Sequence, residues 1–324
     1  MILIFSAEAA HKTVGLNMIV KDESAVIERC LKSVLPIVDY WVIVDTGSSD
    51  DTKEKIKAVM KNCPGELYSR PWVNFEHNRN EALELIKGHS DYVLFIDADE
   101  QLVYSDGFSL PPLDQDVYCI MAQNMGTKYY RVGIVNNEKD WVWVGVVHEA
   151  LFCKQPATSA ILEGVANLIS WDGARSNDPD KYRKDAELLE EALAKDPTNA
   201  RYVYYLAQSY RDAGLFTRAY EAYSQRAEMK GGDEEVFSSL LEKAKIQDRL
   251  EMPDSVVIEG YYQAFYNRPS RVEPLFYLAR HHCFSGNYEL AFPILKRALS
   301  IPQPNDMLCL EAWIYDYALL NLWA

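Results

Sequence analysis

Three things are scarce in this 324-residue chain, and each scarcity excludes something. Cysteine occurs only at 30, 63, 119, 153, 283 and 309, and no two form a Cys-x-x-Cys pair. Neither a disulfide framework nor a structural zinc site is expected, and reduced thiols in a cytoplasmic setting fit best. Long hydrophobic runs are missing too. No stretch reaches the roughly 18 apolar residues that a membrane-spanning helix needs. The opening Met1 to Ser6 lacks a basic segment, and its apolar stretch is too short for a secretory leader. Positive charge is in deficit, with 33 Lys and Arg against 48 Asp and Glu, a net charge of −15. Nucleic-acid binders draw most of their affinity from phosphate contacts, so no nucleic-acid partner is expected. Anionic lipid is repelled for the same reason. Small molecules and proteins remain as partners, although a generic acidic globular protein would carry the same charge.

What is present is an ordinary globular composition, 48% hydrophobic and 25% charged, at a length that suits two domains. Val14 to Val20, Trp41 to Asp45 and Tyr92 to Ile96 read as strands. The last two are continuously apolar, as strands buried on both faces of a mostly parallel sheet are. Amphipathic helices fall between them. Glu23 to Leu35 carries Val26, Ile27, Cys30, Leu31, Val34 and Leu35 at helical spacing. Ser49-Asp50-Asp51 can cap a second helix, and Asn78 to Lys87 makes a third. This alternation predicts an α/β domain over 1–175.

From Ser176 to the end, 176–324, only helical patterns follow, punctuated by Gly and Pro. Leu206-Ala207, Tyr210, Ala219 and Tyr223 align with Leu278-Ala279, His282, Ala291 and Leu295 at an offset of 72 residues (206 to 278), and a degenerate unit fits around Leu240 to Ala264. This resembles tetratricopeptide repeats, helix pairs of about 34 residues with small side chains where the helices cross. Tyr-rich stretches such as Tyr202-Val203-Tyr204-Tyr205 and Tyr261-Tyr262 suit a repeat core, with a peptide groove as the alternative.

Four segments carry candidate chemistry: Met18-Ile19-Val20-Lys21-Asp22-Glu23, Val44-Asp45-Thr46-Gly47-Ser48-Ser49-Asp50, Phe95-Ile96-Asp97-Ala98-Asp99-Glu100, and Val146-Val147-His148-Glu149-Ala150. Three of them end strands, where open α/β sheets bind ligands. With Arg79-Asn80 and Asp172-Gly173-Ala174-Arg175-Ser176, they resemble a family 2 glycosyltransferase of the GT-A fold, in the bacterial subgroup with a C-terminal tetratricopeptide extension. The sequence departs from that pattern at Trp171, where a polar residue, often His, is expected before Asp-Gly.

The resemblance implies a UDP-sugar donor, inversion at the anomeric carbon, and Mn²⁺ or Mg²⁺ as cofactor. The physics agrees, because a sugar diphosphate leaves with several negative charges that a hard cation bound by oxygen ligands neutralises. Two carboxylates as close as Asp97 and Asp99 repel unless a cation or hydroxyl lies between them, and extended backbone puts both on one side. By resemblance Asp99 binds the metal, Asp97 the ribose or a metal-bound water, and Ala98 sits with them on the nucleotide. Asp45 can accept from the uracil N–H, with Gly47 allowing close backbone approach; a helix cap is its bland alternative. Val20 and Glu23 flank the same cleft. Arg79 suits the diphosphate, since its fork is rigid and always charged, against a surface ion pair. His148 turns toward the metal and diphosphate, and Glu149 toward the acceptor as catalytic base, with a structural pair to an arginine as the alternative for Glu149. Trp41 reads as core, while Trp141 or Trp143 can face the acceptor. His11, His77, His89, His281 and His282 read as surface or structural. The acceptor is expected to be a protein or peptide held by the repeats, with a surface glycan or lipid-linked saccharide as runner-up. A nucleotidyltransferase lacks support because Lys21-Asp22-Glu23 has no Gly-rich basic loop. The intact acidic motifs argue against a non-catalytic scaffold.

Overall fold

The computed structural model describes residues 12–124, 127–306 and 308–323, so Met1 to Ser6 and His11 lie outside the described residues. The chain divides into two compact units, Met1–Pro179 and Asp180–Ala324, against the boundary at 175 expected from sequence. Residues 176–179 stay with the first unit because Ser176 and Asn177 hydrogen-bond back to Gly173.

The first unit runs β1 (Val14–Val20), α1 (Ile27–Val34), β2 (Tyr40–Asp45), α2 (Thr52–Val59), β3 (Gly65–Ser69), α3 (Phe75–Ile86), β4 (Tyr92–Phe95), β5 (Glu100–Tyr104), β6 (Val117–Asn124), β7 (Thr127–Asn136), β8 (Trp141–Val144), β9 (Ala150–Cys153) and β10 (Ser159–Ile169). Eight strands form one mixed, mostly parallel sheet in the order β3-β2-β1-β4-β7-β6-β10-β5, and β8 and β9 pair separately. Side chains alternate across each strand. Val14, Leu16, Met18, Val20, Ile43 and Leu94 enter one apolar cluster with α1. Val42, Val93 and Phe95 enter another with Leu83 and Ile86 of α3 and Trp141 of β8. Both faces are covered, which is why these runs are continuously apolar. At Gly15 of β1 an added Cβ would lie 2.7 Å from Ile86 Cδ1, so glycine lets α3 pack close to the strand. Asn17 beside it donates to the Ala82 carbonyl at 2.7 Å.

β2 and β4 flank β1 on opposite sides, both parallel to it. The strand order therefore reverses at β1, and the crevice beyond the carboxyl ends of β1 and β4 is the topological switch point. Of β5 to β10, sequence reasoning finds only the strand around Trp141 and Trp143. In β10 a register shift between Ile161 and Ala166, with Gly164 at φ +80°, breaks the two-residue period that would have revealed it.

The second unit is all helical: α4 (Lys181–Lys195), α5 (Ala200–Asp212), α6 (Phe216–Glu228), α7 (Asp233–Arg249), α8 (Asp254–Asn267), α9 (Glu273–Phe284), α10 (Tyr288–Ala298), and a π-helical turn at Ile314–Ala318 leading into α11 (Leu319–Trp323). Three tetratricopeptide-like pairs follow one another, α5–α6, α7–α8 and α9–α10. Ala207, Ala219, Ala279 and Ala291 are buried where the sequence repeat put them. In the middle pair, Ala244 lies 3.3 Å from a Cβ built on Gly260.

The turns within the pairs explain why the middle repeat is hard to read. Gly214 and Gly286 both sit at φ +74°, and each following amide closes a Schellman bond to the preceding helix, Leu215 to Tyr210 and Asn287 to His282. The middle turn makes the same bond, Met252 to Gln247, but its left-handed residue is Glu251 at φ 52°. A side chain there costs about 1 kcal/mol that glycine avoids. Glu251 is exposed, so Glu251→Gly is expected to stabilise this unit by about 0.5–1 kcal/mol in denaturant unfolding. A loss of stability would mean that the side chain makes a compensating contact.

Candidate active site

Two loops are laced together at the ends of β1 and β2. The Thr46 amide and hydroxyl both donate to the Val20 carbonyl, at 2.9 and 3.1 Å. The Asp22 amide donates to Ser48 Oγ at 2.9 Å, and Asp22 Oδ1 accepts from the Ser49 amide at 2.7 Å. Asp45, 1% exposed, accepts from the Gly47 and Ser48 amides at 3.2 and 3.1 Å. Its carboxylate thus braces its own turn. Gly47 has φ +110° and nothing within 4 Å of a Cβ position, so the backbone conformation, rather than crowding, requires glycine.

Asp97 and Asp99 are not on extended backbone, as the sequence had implied. Ala98 and Asp99 form a turn, closed by the Glu100 amide on the Asp97 carbonyl at 3.1 Å, because the chain must reverse into β5. Ala98 is buried. Glu100, 3% exposed, fixes that turn: its Oε2 accepts the Asp97 amide at 3.1 Å and Asn167 Nδ2 at 2.8 Å. Arg131 adds a two-pronged pair to Glu100 at 2.6 and 2.7 Å. Arg131 and Asn167 carry no sequence signal, since they reach Glu100 only through strand pairing.

The segment after β10 closes against the same turn. Arg29 of α1 grips both oxygens of Asp172, at 2.8 and 2.7 Å, and the Ala174 amide donates to Glu23 at 3.1 Å. A Cβ on Gly173 would lie 3.0 Å from that of Asp99. Trp171 stands half exposed at φ 55°, with Nε1 donating to Asn124 at 2.8 Å.

Helix α3 supplies the opposite wall. It starts at Phe75, earlier than the sequence predicts, because Asn74 caps it on the His77 amide. Glu76, Arg79 and Asn80 therefore share one helical face. Glu76 accepts the Gly145 amide at 2.6 Å, and Asn80 exchanges two 2.8 Å bonds with the Trp143 backbone, so α3 holds the β8–β9 connection. Arg79 lies between two carboxylates, Nη2 to Asp97 at 2.7 Å and Nε to Glu149 at 2.5 Å, with Trp143 across its guanidinium at 5.0 Å. Burial opposes its charge, but Asp97 and Glu149 outweigh that and raise it above the ordinary arginine value. Burial alone would likewise raise Asp97; Arg79 and then Arg131 hold it down.

His148 and Glu149 lie in the bend between β8 and β9, not on extended backbone, and His148 is exposed at φ 54°. The left-handed residue turns the chain, so Glu149 reaches Arg79 through a change of direction rather than strand alternation. Trp141 is core, with Nε1 on the Asn136 carbonyl at 2.8 Å, and Trp41 is buried as expected. Outside the site, His89 stacks on Tyr40, and His281 pairs with Asp248 at 2.8 Å.

Glu23, Asp97 and Asp99 make this crevice strongly acidic. Burial first, then Asp97, raises Asp99. Burial first raises Glu23 from 4.5 to about 7; the Ala174 amide opposes this, while Asp99, Asp97 and Asp50 add to it. Among the described residues no three His, Cys, Asp or Glu side chains converge to hold a metal, so His148 is not gathered with Asp97 and Asp99. A hard cation still fits the oxygen donors, because Mg²⁺ is commonly held by one or two carboxylates together with substrate phosphates.

The raised Glu23 has a consequence for stability. The folded protein binds this proton more tightly than the unfolded chain, so its contribution is fully present below pH 4.5 and is lost as pH rises through about 7. The thermal midpoint of the metal-free protein, relative to Glu23→Gln, is expected to fall across that window. A pH-independent difference between the two would remove Glu23 from the acidic cluster.

Residues 17–106 match the glycosyl transferase family 2 domain. The match takes in Glu23, Asp45, Arg79, Asp97 and Asp99 and stops before His148 and Glu149. A TPR repeat-containing protein of Synechococcus elongatus is 38% identical over 96 residues, 29% of this chain and 22% of its own length. An uncharacterized glycosyltransferase of Rickettsia prowazekii is 34% identical over 91 residues, 28% and 29% of the respective chains. The SPbeta prophage-derived glycosyltransferase SunS of Bacillus subtilis is 34% identical over 88 residues, 27% and 20%. The chain thus aligns with under a third of the length of these relatives. Among solved structures, a crystal structure of MamA covers 37% of this chain and 68% of its own at 16% identity and a TM-score of 0.33. MamA of Desulfovibrio magneticus covers 37% and 66% at 10% identity with the same score.

Proposed function

We propose that this chain, which carries a family 2 glycosyltransferase domain at residues 17–106 ahead of a tetratricopeptide-like helical unit, transfers a sugar from a UDP-sugar to a protein or peptide acceptor with inversion. The observation that carries the proposal is the meeting of Glu23, Asp97, Asp99, Arg79 and Glu149 at the switch point of the sheet, where α/β folds bind nucleotides. Inversion is one displacement: the acceptor heteroatom bonds to the anomeric carbon, the carbon–oxygen bond to the diphosphate breaks, and UDP leaves with the electron pair. The acceptor's proton goes to Glu149, whose Oε1 is oriented by Arg79. Asp45 accepts from the uracil N–H, beside the Gly47 turn and Val20. Asp97, with Ala98, takes the ribose side. A bound Mn²⁺ or Mg²⁺, held by Asp99 and Asp97 together with the donor's phosphates, would neutralise the diphosphate as it departs. Arg79, held between Asp97 and Glu149, supplies a fixed positive charge beside that diphosphate. Six free thiols support a cytoplasmic setting for this chemistry.

The test is thermal unfolding with UDP-, GDP- and CMP-sugars, each with and without Mn²⁺. A midpoint rise is expected for a UDP-sugar with Mn²⁺, because a ligand bound only by the folded state stabilises it by mass action. Equal rises with all nucleotides, or none, would overturn the donor assignment.

A further inference from the structure

The helical unit contains an irregular stretch between α10 and the turn at Ile314, and its grip on the helices is of an unusual kind. Side chains of the unit seize its main chain. Arg271 donates to the carbonyls of Leu308 and Cys309 at 3.1 and 2.8 Å. Glu234 of α7 accepts the Leu308 amide at 2.6 Å, and Glu273 of α9 accepts the Glu311 amide at 3.2 Å. Two acidic side chains are read as well. Asp306 takes Arg268 at 2.7 Å and Arg271 at 3.3 Å, while Glu311 takes Lys245 at 2.6 Å and the Tyr277 hydroxyl at 2.5 Å. The Tyr204 hydroxyl of α5 meets Cys309 Sγ at 3.4 Å. The stretch thus touches α5, α7 and α9, the first helix of each pair.

Helices pack through apolar ridges; capture of both carbonyls and amides by side chains is how a surface holds a peptide with no ladder or helix of its own, and this one bends at Leu308 and Cys309, the latter at φ 51°. The capturing groups also have partners of their own. Arg271 pairs with Glu273 at 2.7 Å, both fully buried, Lys245 with Glu242 at 2.9 Å, and Arg268 with Glu234 at 3.8 Å. Each of these cations therefore keeps an ion-pair partner when the stretch leaves. Cavities of about 370 and 250 Å³ lie beside it, one bounded by Leu308 and one by Cys309 and Glu311.

We infer that this face is a binding site for a bent, non-helical peptide bearing two carboxylates at the spacing of Asp306 and Glu311, and that the chain's own stretch occupies it as an intramolecular competitor. The inference rests on the proposed peptide acceptor only for what the incoming peptide would be; binding is measurable without any transfer. A tethered occupant acts at an effective concentration in the mM range, so an incoming peptide is weakened until the tether is loosened.

Hydrogen exchange on the unaltered full chain is the first test. The amides of Leu308 and Glu311 are expected to exchange through an opening that leaves α7 and α9 protected. The second is fluorescence anisotropy with a labelled synthetic peptide of residues 303–313 carrying Cys309→Ser. Full-length Asp306→Ala/Glu311→Ala is expected to bind it at least about 10-fold more tightly than the parent, and a further Lys245→Glu to lose that gain. Exchange of those two amides only together with α7 and α9 would overturn the inference, whether or not the variant folds. So would a folded double variant that binds no better than the parent.

Discussion

Glu149→Gln is expected to lower turnover roughly 10²-fold or more while leaving UDP-sugar affinity near that of the parent. The substitution keeps the shape and removes the basicity at the atom proposed to take the acceptor's proton. The geometry also sets up a rival account, since Glu149 shares Arg79 with Asp97. If Glu149 served only to position Arg79, its loss would let the guanidinium collapse onto Asp97 and disturb the donor side. The two accounts separate in the kinetics. A lost base lowers turnover and removes the acidic limb of the pH profile, because that limb reports protonation of the base. A lost positioning contact weakens donor binding and keeps the limb. Turnover within a few-fold of the parent would move the base elsewhere. Glu100 is then a poor substitute, because Arg131, Asn167 and the Asp97 amide occupy its carboxylate.

Asp99→Ala is expected to abolish the Mn²⁺-dependent part of UDP binding, read as loss of the midpoint rise with UDP and Mn²⁺, and to leave unfolding of the free protein nearly unchanged. Both parts follow from placement. Asp99 sits in the β4–β5 turn, half-buried beside Gly173, and burial and Asp97 raise its carboxyl. A carboxylate kept under that strain by its neighbours gains most from a cation, and its deletion relieves repulsion in the metal-free protein. Parent-like UDP binding with Mn²⁺ would exclude Asp99 as a metal ligand. A large drop in stability without ligand would instead make Asp99 a structural member of the turn.

The sequence by itself determined β1, β2 and β4 of the parallel half, the helical repeat and the chemical character of the crevice, and missed β3. Each is local. Burial on both faces writes Trp41-Val42-Ile43-Val44 and Tyr92-Val93-Leu94-Phe95 as unbroken apolar runs, and helix crossings write Ala207, Ala219, Ala279 and Ala291 as small residues at a fixed offset. Motifs at strand ends collect at one edge because parallel strands share a direction. Only tertiary structure decided how these residues are used. Asp97 and Asp99 meet through a turn imposed by the pairing of β5 with β10. Arg79 bridges Asp97 and Glu149 across 18 and 70 residues, and Glu100 is fixed by Arg131 and Asn167 at separations of 31 and 67. Glu251 stands where its sister turns have glycine, so the middle repeat is conserved in backbone geometry and hidden in sequence. Periodicity records what a residue does to its neighbours along one element. An ion pair between elements depends on which strands become adjacent, and that is settled by burying the whole sheet and helix stack at once.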